Sequence, residues 1–194
     1  MVDANEVEHK VRARLKDVPS PQARFSEMEI LDALNSTAAQ LILEFKLNRT
    51  PKAKSLTHSS PLLRAPYLLG VLEARFEGQI LMQRTSVPML EGLALFIQEE
   101  ALSITPFKPG TLSVIYYAYK PIESTEEPLP LPALATDALV YGVLSLLLEV
   151  PTDETNLNKI GVFKNLFKEA KNMLAMYLNN LYASANYTSR VVRV

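Results

Sequence analysis

The sequence has 194 residues, of which 20 are basic and 21 acidic, so its formal net charge at pH 7 is -1. A chain of this length can bury a hydrophobic core as one domain, and a charge so near zero argues against bulk electrostatic capture of nucleic acid or of an anionic membrane. Cysteine is absent, which excludes disulfides, thiolate metal sites and cysteine nucleophiles and is compatible with the bacterial cytoplasm.

The charged N-terminus predicts a short amphipathic helix and lacks the apolar core of a signal peptide. Val7, Val11 and Leu15 recur every four residues among charged side chains, a spacing that is typical of a helix with one apolar face. We expect residues 18–21, which include two prolines, to end this helix. His9 falls among the charged residues, so we expect it on the solvated face.

The segment RFSEMEILDALNSTAAQLILEF contains the clearest helix start. Ser26 and Glu29 have the spacing of a capping box, and Phe25 and Ile30 flank them as a hydrophobic staple. The apolar residues that follow repeat with a period of about 3.6 residues. The sequence therefore predicts a second helix over residues 27–46.

The middle of the chain has short strand signals. Residues 48–111 contain six prolines, too many for long helices. GQILMQRTS (78–86) and LSVIYYAYK (112–120) have the composition of strands, whereas MLEGLALFIQEEAL (89–102) fits either a short helix or a loop with apolar anchors. We expect a β-containing segment over residues 48–120, with too few strands to bury a core of its own.

After the last strand, ESTEEPLPLP (123–132) predicts an extended acidic bend, because each residue before a proline is pushed towards extended conformations. A third helix is predicted from about residue 133 to Glu149, ended by Pro151. Its apolar run, residues 138–150, is shorter than the roughly 18 residues of a membrane span and predicts a core helix. Tyr141 and Leu144 should be substantially buried in this helix.

A last helix is predicted from about residue 155 to residue 182. Residues 183–194 have no helical period and predict an extended C-terminal tail. Three lysines of the helix, Lys164, Lys168 and Lys171, lie largely off its apolar face. The residues assigned to that face are Ile160, Phe163, Phe167, Ala170, Leu174, Tyr177 and Leu181.

Together these elements predict a mainly α (α+β) fold. Both ends of the chain would form an antiparallel helical bundle, with a β-containing insertion between the second and third long helices. We expect a single domain over residues 1–194, with residues 48–120 as the insertion and 183–194 as the tail.

The sequence has little sign of catalytic chemistry. His9 and His58 are far apart, and neither has a second ligand-type residue at a helical spacing, so no metal site is expected. The six glycines form no phosphate-binding fingerprint, and no serine has the sequence context of a nucleophile elbow. A cluster of three tyrosines is expected to pack rather than to stack on bases: Tyr116, Tyr117 and Tyr119.

Charge is uneven late in the chain. Residues 121–160 carry seven acidic side chains and one basic, whereas residues 161–194 carry one acidic and five basic. Opposite charges on two segments would allow head-to-tail pairing between subunits, but ordinary solvated surfaces explain the pattern equally well. The acidic candidates lie in a bend where we expect solvation or a facing subunit, not catalysis. The candidate contact residues are Lys164, Lys168, Lys171, Arg190 and Arg193 on the basic side, and Glu123, Glu126 and Glu127 on the acidic side.

Three segments occur in an informative order: RFSEMEILDALNSTAAQLILEF, then LSVIYYAYKP, then LPLPALATDALVYGVLSLLLE. The first is a capped opening helix, the second a tyrosine-rich strand that ends in proline, and the third a helix that begins with proline and Asp-Ala-Leu-Val-Tyr. In this order they resemble the head-to-tail adaptor (connector) proteins of tailed bacteriophages. Residues 48–111 depart most from the pattern. The matching positions are Phe25, Ser26, Glu29, Pro130, Asp137, Ala138, Leu139, Val140 and Tyr141.

The resemblance implies a structural virion protein with no enzymatic activity and no cofactor. Such a protein assembles as a homo-oligomeric ring, typically a dodecamer, between the portal vertex of the head and the tail. The implied partners are the portal protein, a tail or nozzle protein, and further copies of itself. Genomic DNA would pass through the lumen without sequence-specific binding, and no membrane is involved. The implied location is the head-tail junction of the virion, with assembly in the host bacterial cytoplasm.

A third alternative, a metal-independent hydrolase, is disfavoured because the sequence pairs no nucleophile with a base, and two other interpretations remain open. One is a different component of the same junction, such as a stopper or tail-completion protein. The other is a non-viral helical interaction module.

Overall fold

A computed structural model describes residues 1–18, 20, 23–84, 92–149 and 155–182. These residues form four helices, ten strands and one 3₁₀ turn, Ala133–Ala135. The helices are α1 (Ala4–Leu15), α2 (Glu27–Phe45), α3 (Thr136–Glu149) and α4 (Thr155–Tyr182). The strands are β1 (Val2–Asp3), β2 (Arg49–Leu56), β3 (Leu63–Arg64), β4 (Leu68–Phe76), β5 (Gln79–Ile80), β6 (Met82–Arg84), β7 (Ala94–Gln98), β8 (Ala101–Thr105), β9 (Gly110–Ala118) and β10 (Pro128–Leu129).

The chain divides into two compact units, and the boundary falls within α2. The helical unit, Met1–Thr37 with Glu123–Val194, contains α1, the first part of α2, the two-stranded sheet β1-β10, α3 and α4. The β unit, Ala38–Ile122, contains strands β2 to β9. The predicted fold class is therefore wrong: the protein has an α+β fold, not an antiparallel helical bundle with a small insertion. The expectation of a single domain over residues 1–194 stays a prediction, and the predicted tail lies outside the described residues.

The β unit has two four-stranded sheets. The first has the strand order β2-β9-β4-β5 and the second the order β3-β8-β7-β6. All pairs are antiparallel except β6 and β7, which are parallel. The central strand β9 agrees with the strand predicted over residues 112–120, displaced by two residues. It alternates as a half-buried strand does, with Val114 and Tyr116 buried and Ile115 exposed between them.

Both sheets contribute to one hydrophobic core, so the expectation that the middle segment would not bury its own core is wrong. Six strands, β2, β3, β4, β7, β8 and β9, supply buried residues to that core, and none of them supplies more than three. A single strand therefore looks weak in the sequence although the strands together suffice. The first sheet contributes Leu56, Val71, Ala74, Phe76, Leu112, Val114 and Tyr116, and the second contributes Leu63, Leu95, Leu102 and Ile104.

Two other predictions for the β unit need correction. The strand predicted over residues 78–86 is two short strands, β5 and β6, which belong to different sheets and flank the buried Leu81. From residue 94 onward, the segment predicted as a short helix or a loop is the β7–β8 hairpin. Glu99 in its turn has a φ of 51°. Glycine and asparagine are the residues that usually adopt this left-handed conformation. The turn has the sequence Gln-Glu-Glu instead, so the sequence gives no signal for it.

The start of α2 confirms the predicted capping box. The Glu29 N–H donates to Ser26 Oγ at 3.2 Å, and Glu29 Oε2 accepts from the Ser26 N–H at 2.7 Å. The hydrogen bond from the Ser26 backbone, followed by that from its hydroxyl, lowers the pKa of Glu29. Phe25 and Ile30 are both buried, as expected for a staple. In contrast, α1 ends at Leu15, before the predicted stop.

A buried arginine joins the end of α1 to the start of α2. Arg12 is 6% exposed and donates to Glu8 Oε1 at 2.8 Å, to Asp17 Oδ2 at 3.2 Å and to the Phe25 carbonyl at 3.1 Å. Asp17 also accepts from the backbone N–H groups of Arg24 and Phe25. Because the charged groups at this corner are both paired and hydrogen-bonded, their burial is compensated.

In the helical unit, α3 is buried on nearly all sides, which agrees with the core helix predicted from its apolar run. Of the two residues expected to be substantially buried, Leu144 is 0% exposed and Tyr141 is half-buried. The Thr37 side chain of α2 packs against Gly142 of α3, where a Cβ atom would collide with Thr37 Cγ2. Only glycine fits this contact without a shift of Thr37.

Candidate interaction surface of the C-terminal helices

The last helix, α4, buries little of its surface. Among its residues with described side chains, 159–181, only Leu174 and Leu178 are buried. The predicted apolar face is correct as far as Leu174, but Tyr177 and Leu181 are 42% and 56% exposed. After Leu174 the predicted face continues three residues later at Tyr177, whereas the next buried residue is Leu178, four residues later.

Pairs of side chains fix how α4 lies against α3. Lys164 Nζ is 2.8 Å from Glu149 Oε1 at the end of α3. The ring of Phe163 stacks on that of Tyr141 with centroids 6.4 Å apart, and the Arg14 guanidinium of α1 lies 5.2 Å from the centre of the Tyr141 ring. The C-terminal end of α3 therefore lies near the N-terminal half of α4, as in an antiparallel pair.

One side of α4 carries the three predicted lysines, and we call it the basic flank: Lys164, Lys168 and Lys171. Lys164 and Lys168 are exposed, and Lys171 is half-buried with its Nζ 5.1 Å from the centre of the Phe167 ring. Lys164 forms its ion pair with Glu149 of α3 rather than with the acidic bend. The other two basic candidates, Arg190 and Arg193, lie outside the described residues.

The other side of α4 is apolar, and it was not predicted from the sequence. Val162, Met173 and Met176 are 56%, 62% and 67% exposed. Their exposure was not predicted because a methionine in a helix usually indicates a core position, and no sequence pattern separated these side chains from the buried ones. We call this side the apolar flank: Val162, Leu166, Met173, Met176 and Tyr177.

A groove runs between the apolar flank and the start of α3. Its volume is about 230 Å³. Two carboxylates, Asp137 and Glu169, are among the described residues that line it, and none of these residues is basic. The remaining lining residues are Leu134, Tyr141, Leu166, Ala170 and Met173.

The first half of the acidic bend, residues 123–127, is a compact local turn, whereas Pro128, Leu129 and Pro132 are extended as expected. Glu127 Oε1 accepts from the Glu123 N–H at 2.9 Å, and the Glu127 N–H donates to the Ser124 carbonyl at 3.1 Å. Glu123 and Glu126 are exposed, as predicted for Glu126, whereas Glu127 is half-buried. The Glu126 N–H donates to Ser124 Oγ at 3.1 Å. Strand β10 follows directly and pairs with β1, so the bend has fixed neighbours.

The β unit has a separate depression on the open face of its first sheet, with a volume of about 540 Å³. Small side chains, Ala53 and Ser113, lie on neighbouring strands there, and the paired side chains of Glu73 and Arg75 also line it. The Glu73 carboxylate, the acidic group among these lining residues, is occupied by its ion pair with Arg75.

The tyrosine cluster packs as the sequence predicted. Tyr116 and Tyr119 are 5% and 6% exposed, and burial raises the pKa of Tyr119 to about 12. Tyr117 lies directly over Gly70 of the neighbouring strand, where a Cβ atom would collide with its ring. The rings are therefore occupied by the protein's own packing.

The described residues contain no group of three or more His, Asp or Glu side chains arranged to hold a metal ion. His9 and His58 are exposed, and His58 makes an edge contact with Phe107. In the same part of the chain, every helix is too short or too polar to cross a membrane. Comparisons with models of known protein families and with curated proteins find no match to this sequence.

Proposed function

We propose that this protein is a structural virion component, a head-to-tail adaptor of a tailed bacteriophage. Copies of the chain form a ring between the portal vertex and the tail, and genomic DNA passes through its lumen. The order of the three motifs quoted above supports the proposal, and so does the character of the surface of α4.

The single observation that carries the proposal is how little of α4 its own fold uses. The helix has 28 residues, which corresponds to a length of about 42 Å. A helix that serves only a core presents one apolar stripe and leaves polar residues elsewhere. Instead, α4 has an apolar flank, interrupted by Glu169, and a separate basic flank, and most residues of both flanks are exposed. Such a surface favours association with other protein chains.

The contacts follow from the chemistry of these surfaces. The basic flank, together with Arg190 and Arg193, binds the portal protein or a neighbouring subunit through charge-assisted contacts. The acidic bend, with Glu123 and Glu126 exposed, faces a neighbouring subunit or the tail protein. Contacts at exposed charges tune specificity and association rate more than affinity.

The test is coexpression with the portal protein encoded by the same genome, followed by purification and electron microscopy. We expect a ring of this protein attached to the portal ring. Reversing the basic flank with Lys164→Glu, Lys168→Glu and Lys171→Glu should weaken attachment, whereas the matched control Lys52→Glu, Lys54→Glu and Lys108→Glu in the β unit should not. Deletion of residues 183–194 tests the contribution of the tail in the same assay.

Two outcomes would contradict the proposal. A specific complex with a host protein, without attachment to the portal, would favour a non-viral interaction module. A position in the particle beyond the first ring after the portal would favour a stopper or tail-completion protein.

A further inference from the structure

The two flanks of α4 lie on different sides of the same helix. Lys168 and Met173 are five positions apart in the sequence, which places them roughly 140° apart around the helix axis at 3.6 residues per turn. The buried residue Leu174 lies on a third side, against the helical unit. One chain can therefore present the apolar flank and the basic flank to two different neighbours at the same time.

The groove beside the apolar flank has a definite chemical character. Its lining combines apolar side chains, such as Met173 and Leu134, with the carboxylates of Asp137 and Glu169. An occupant should therefore bring aliphatic surface together with positive charge. Lysine has both, because its methylene stem can lie on apolar surface while its ammonium group reaches a carboxylate.

The basic flank of α4 provides this combination on the same molecule. Lys164 and Lys168 are one helical turn apart and exposed, and Lys171 continues the row. We propose that the groove of one copy binds the basic flank of α4 in a second copy, with Lys168 directed at Asp137 and Glu169, since Lys164 is paired with Glu149 of its own chain. This interface deepens the proposed function and rests on it for the closure of the ring.

The charges decide against the symmetric alternative. If two copies met groove to groove, the carboxylates of Asp137 and Glu169 would face the same carboxylates, and like charges at an interface are repulsive. A contact of groove with basic flank joins two different surfaces, so each added copy leaves one of each free. Such head-to-tail contacts form rings when the rotation between copies closes.

Cysteine cross-linking tests the contact directly, because the chain contains no cysteine. One chain carries Met173→Cys in the groove, and a differently tagged chain carries Asn172→Cys, which is exposed one turn after Lys168. After the two are mixed and treated with a short bismaleimide, we expect a mixed cross-linked dimer as the main product. The matched control replaces Asn172→Cys by Ile80→Cys, which is at a site 71% exposed in the β unit.

Charge reversal adds a second readout. Lys168→Glu on the chain that carries Asn172→Cys, and Glu169→Lys on the chain that carries Met173→Cys, should each lower the yield roughly two- to fivefold, as expected for an exposed ion pair. The two reversals combined should restore the yield. A yield no higher than with the Ile80→Cys control, a predominance of Met173→Cys homodimers, or no restoration would each overturn the inference.

The outcome is separable from that of the proposed function. Rings on the portal without this cross-link would reject the contact and keep the adaptor proposal. The cross-link without any portal association would keep the contact and reject the adaptor proposal.

Discussion

The two C-terminal helices pack against each other but use their apolar residues in opposite ways. In α3, nine of 14 residues are buried. The helix α4 is twice as long, and only Leu174 and Leu178 are buried among its residues with described side chains. Apolar content alone therefore does not identify a core helix, because α3 is surrounded by its own chain whereas α4 presents apolar side chains outward.

The greatest loss of stability is expected when a buried leucine of α3, rather than an exposed one, is replaced. Leu144→Ala should lower the free energy of unfolding by about 2–5 kcal/mol, because it leaves a cavity in the core. Leu146, two residues away, is 37% exposed, and Leu146→Ala should cost less than about 1 kcal/mol. Urea denaturation of both variants measures the difference. Equal losses would contradict the assignment of Leu144 to the core and of Leu146 to the accessible surface.

A second prediction compares glycines in the two helices. Gly142→Ala in α3 should destabilise the protein by about 1–3 kcal/mol, because its Cβ would collide with Thr37 Cγ2. Gly161→Ala in α4 meets no atom within 4 Å and should stabilise by up to about 1 kcal/mol through helix propensity. Thermal unfolding of the two variants gives opposite signs if the comparison holds.

Thr37 offers the matched rescue for the first of these variants. Thr37→Ser removes Cγ2 but keeps the hydroxyl that donates to the Ala33 carbonyl at 2.8 Å. In a double-mutant cycle, Gly142→Ala should cost less in the Thr37→Ser background than in the wild type. An unchanged cost would show that Thr37 is not the source of the strain.

A smaller effect is expected where the two helices are joined by charge. Glu149 and Lys164 form an ion pair of 2.8 Å with side chains 48% and 55% exposed. An exposed pair of this kind contributes about 0.2–1 kcal/mol and is screened by salt. A cycle of Glu149→Gln and Lys164→Gln should give a coupling in that range that declines in roughly 1 M salt. A salt-independent coupling well above it would show that the pair is effectively buried.

Some elements were predictable because their signals are local. The capping box of Ser26 and Glu29 marks the start of α2. The predicted limits of α4 and the predicted end of α3 agree with the structure, whereas α3 begins at Thr136, after a 3₁₀ turn over the first three residues predicted as helix. The β unit was harder, since its strands contribute alternate residues to a shared core and Glu99 forms a turn without glycine or asparagine. Pairing between distant strands, such as β2 with β9, leaves no mark on either segment alone.

The candidate surface divides in the same way. The positions of Lys164 and Lys168 outside the packed face follow from helical periodicity, and the structure places them there. The groove is lined by Leu134, which follows the acidic bend, and by Met173 of α4. It therefore depends on tertiary structure, which the sequence of either segment alone does not show. Methionine compounds the difficulty, because it suits both cores and protein-binding surfaces.

The smallest expected effect on stability is the most informative for assembly. Met173 is 62% exposed, so Met173→Gln should change the free energy of unfolding by no more than about 0.5 kcal/mol. The same variant removes an apolar side chain from the groove and should therefore weaken association of copies, measured by sedimentation or by cross-linking through other positions. A clear loss of stability would mean that α4 serves the core of its own chain after all, and that the contrast between α3 and α4 is one of degree. Unchanged stability with reduced association would assign this side of α4 to contacts with other chains.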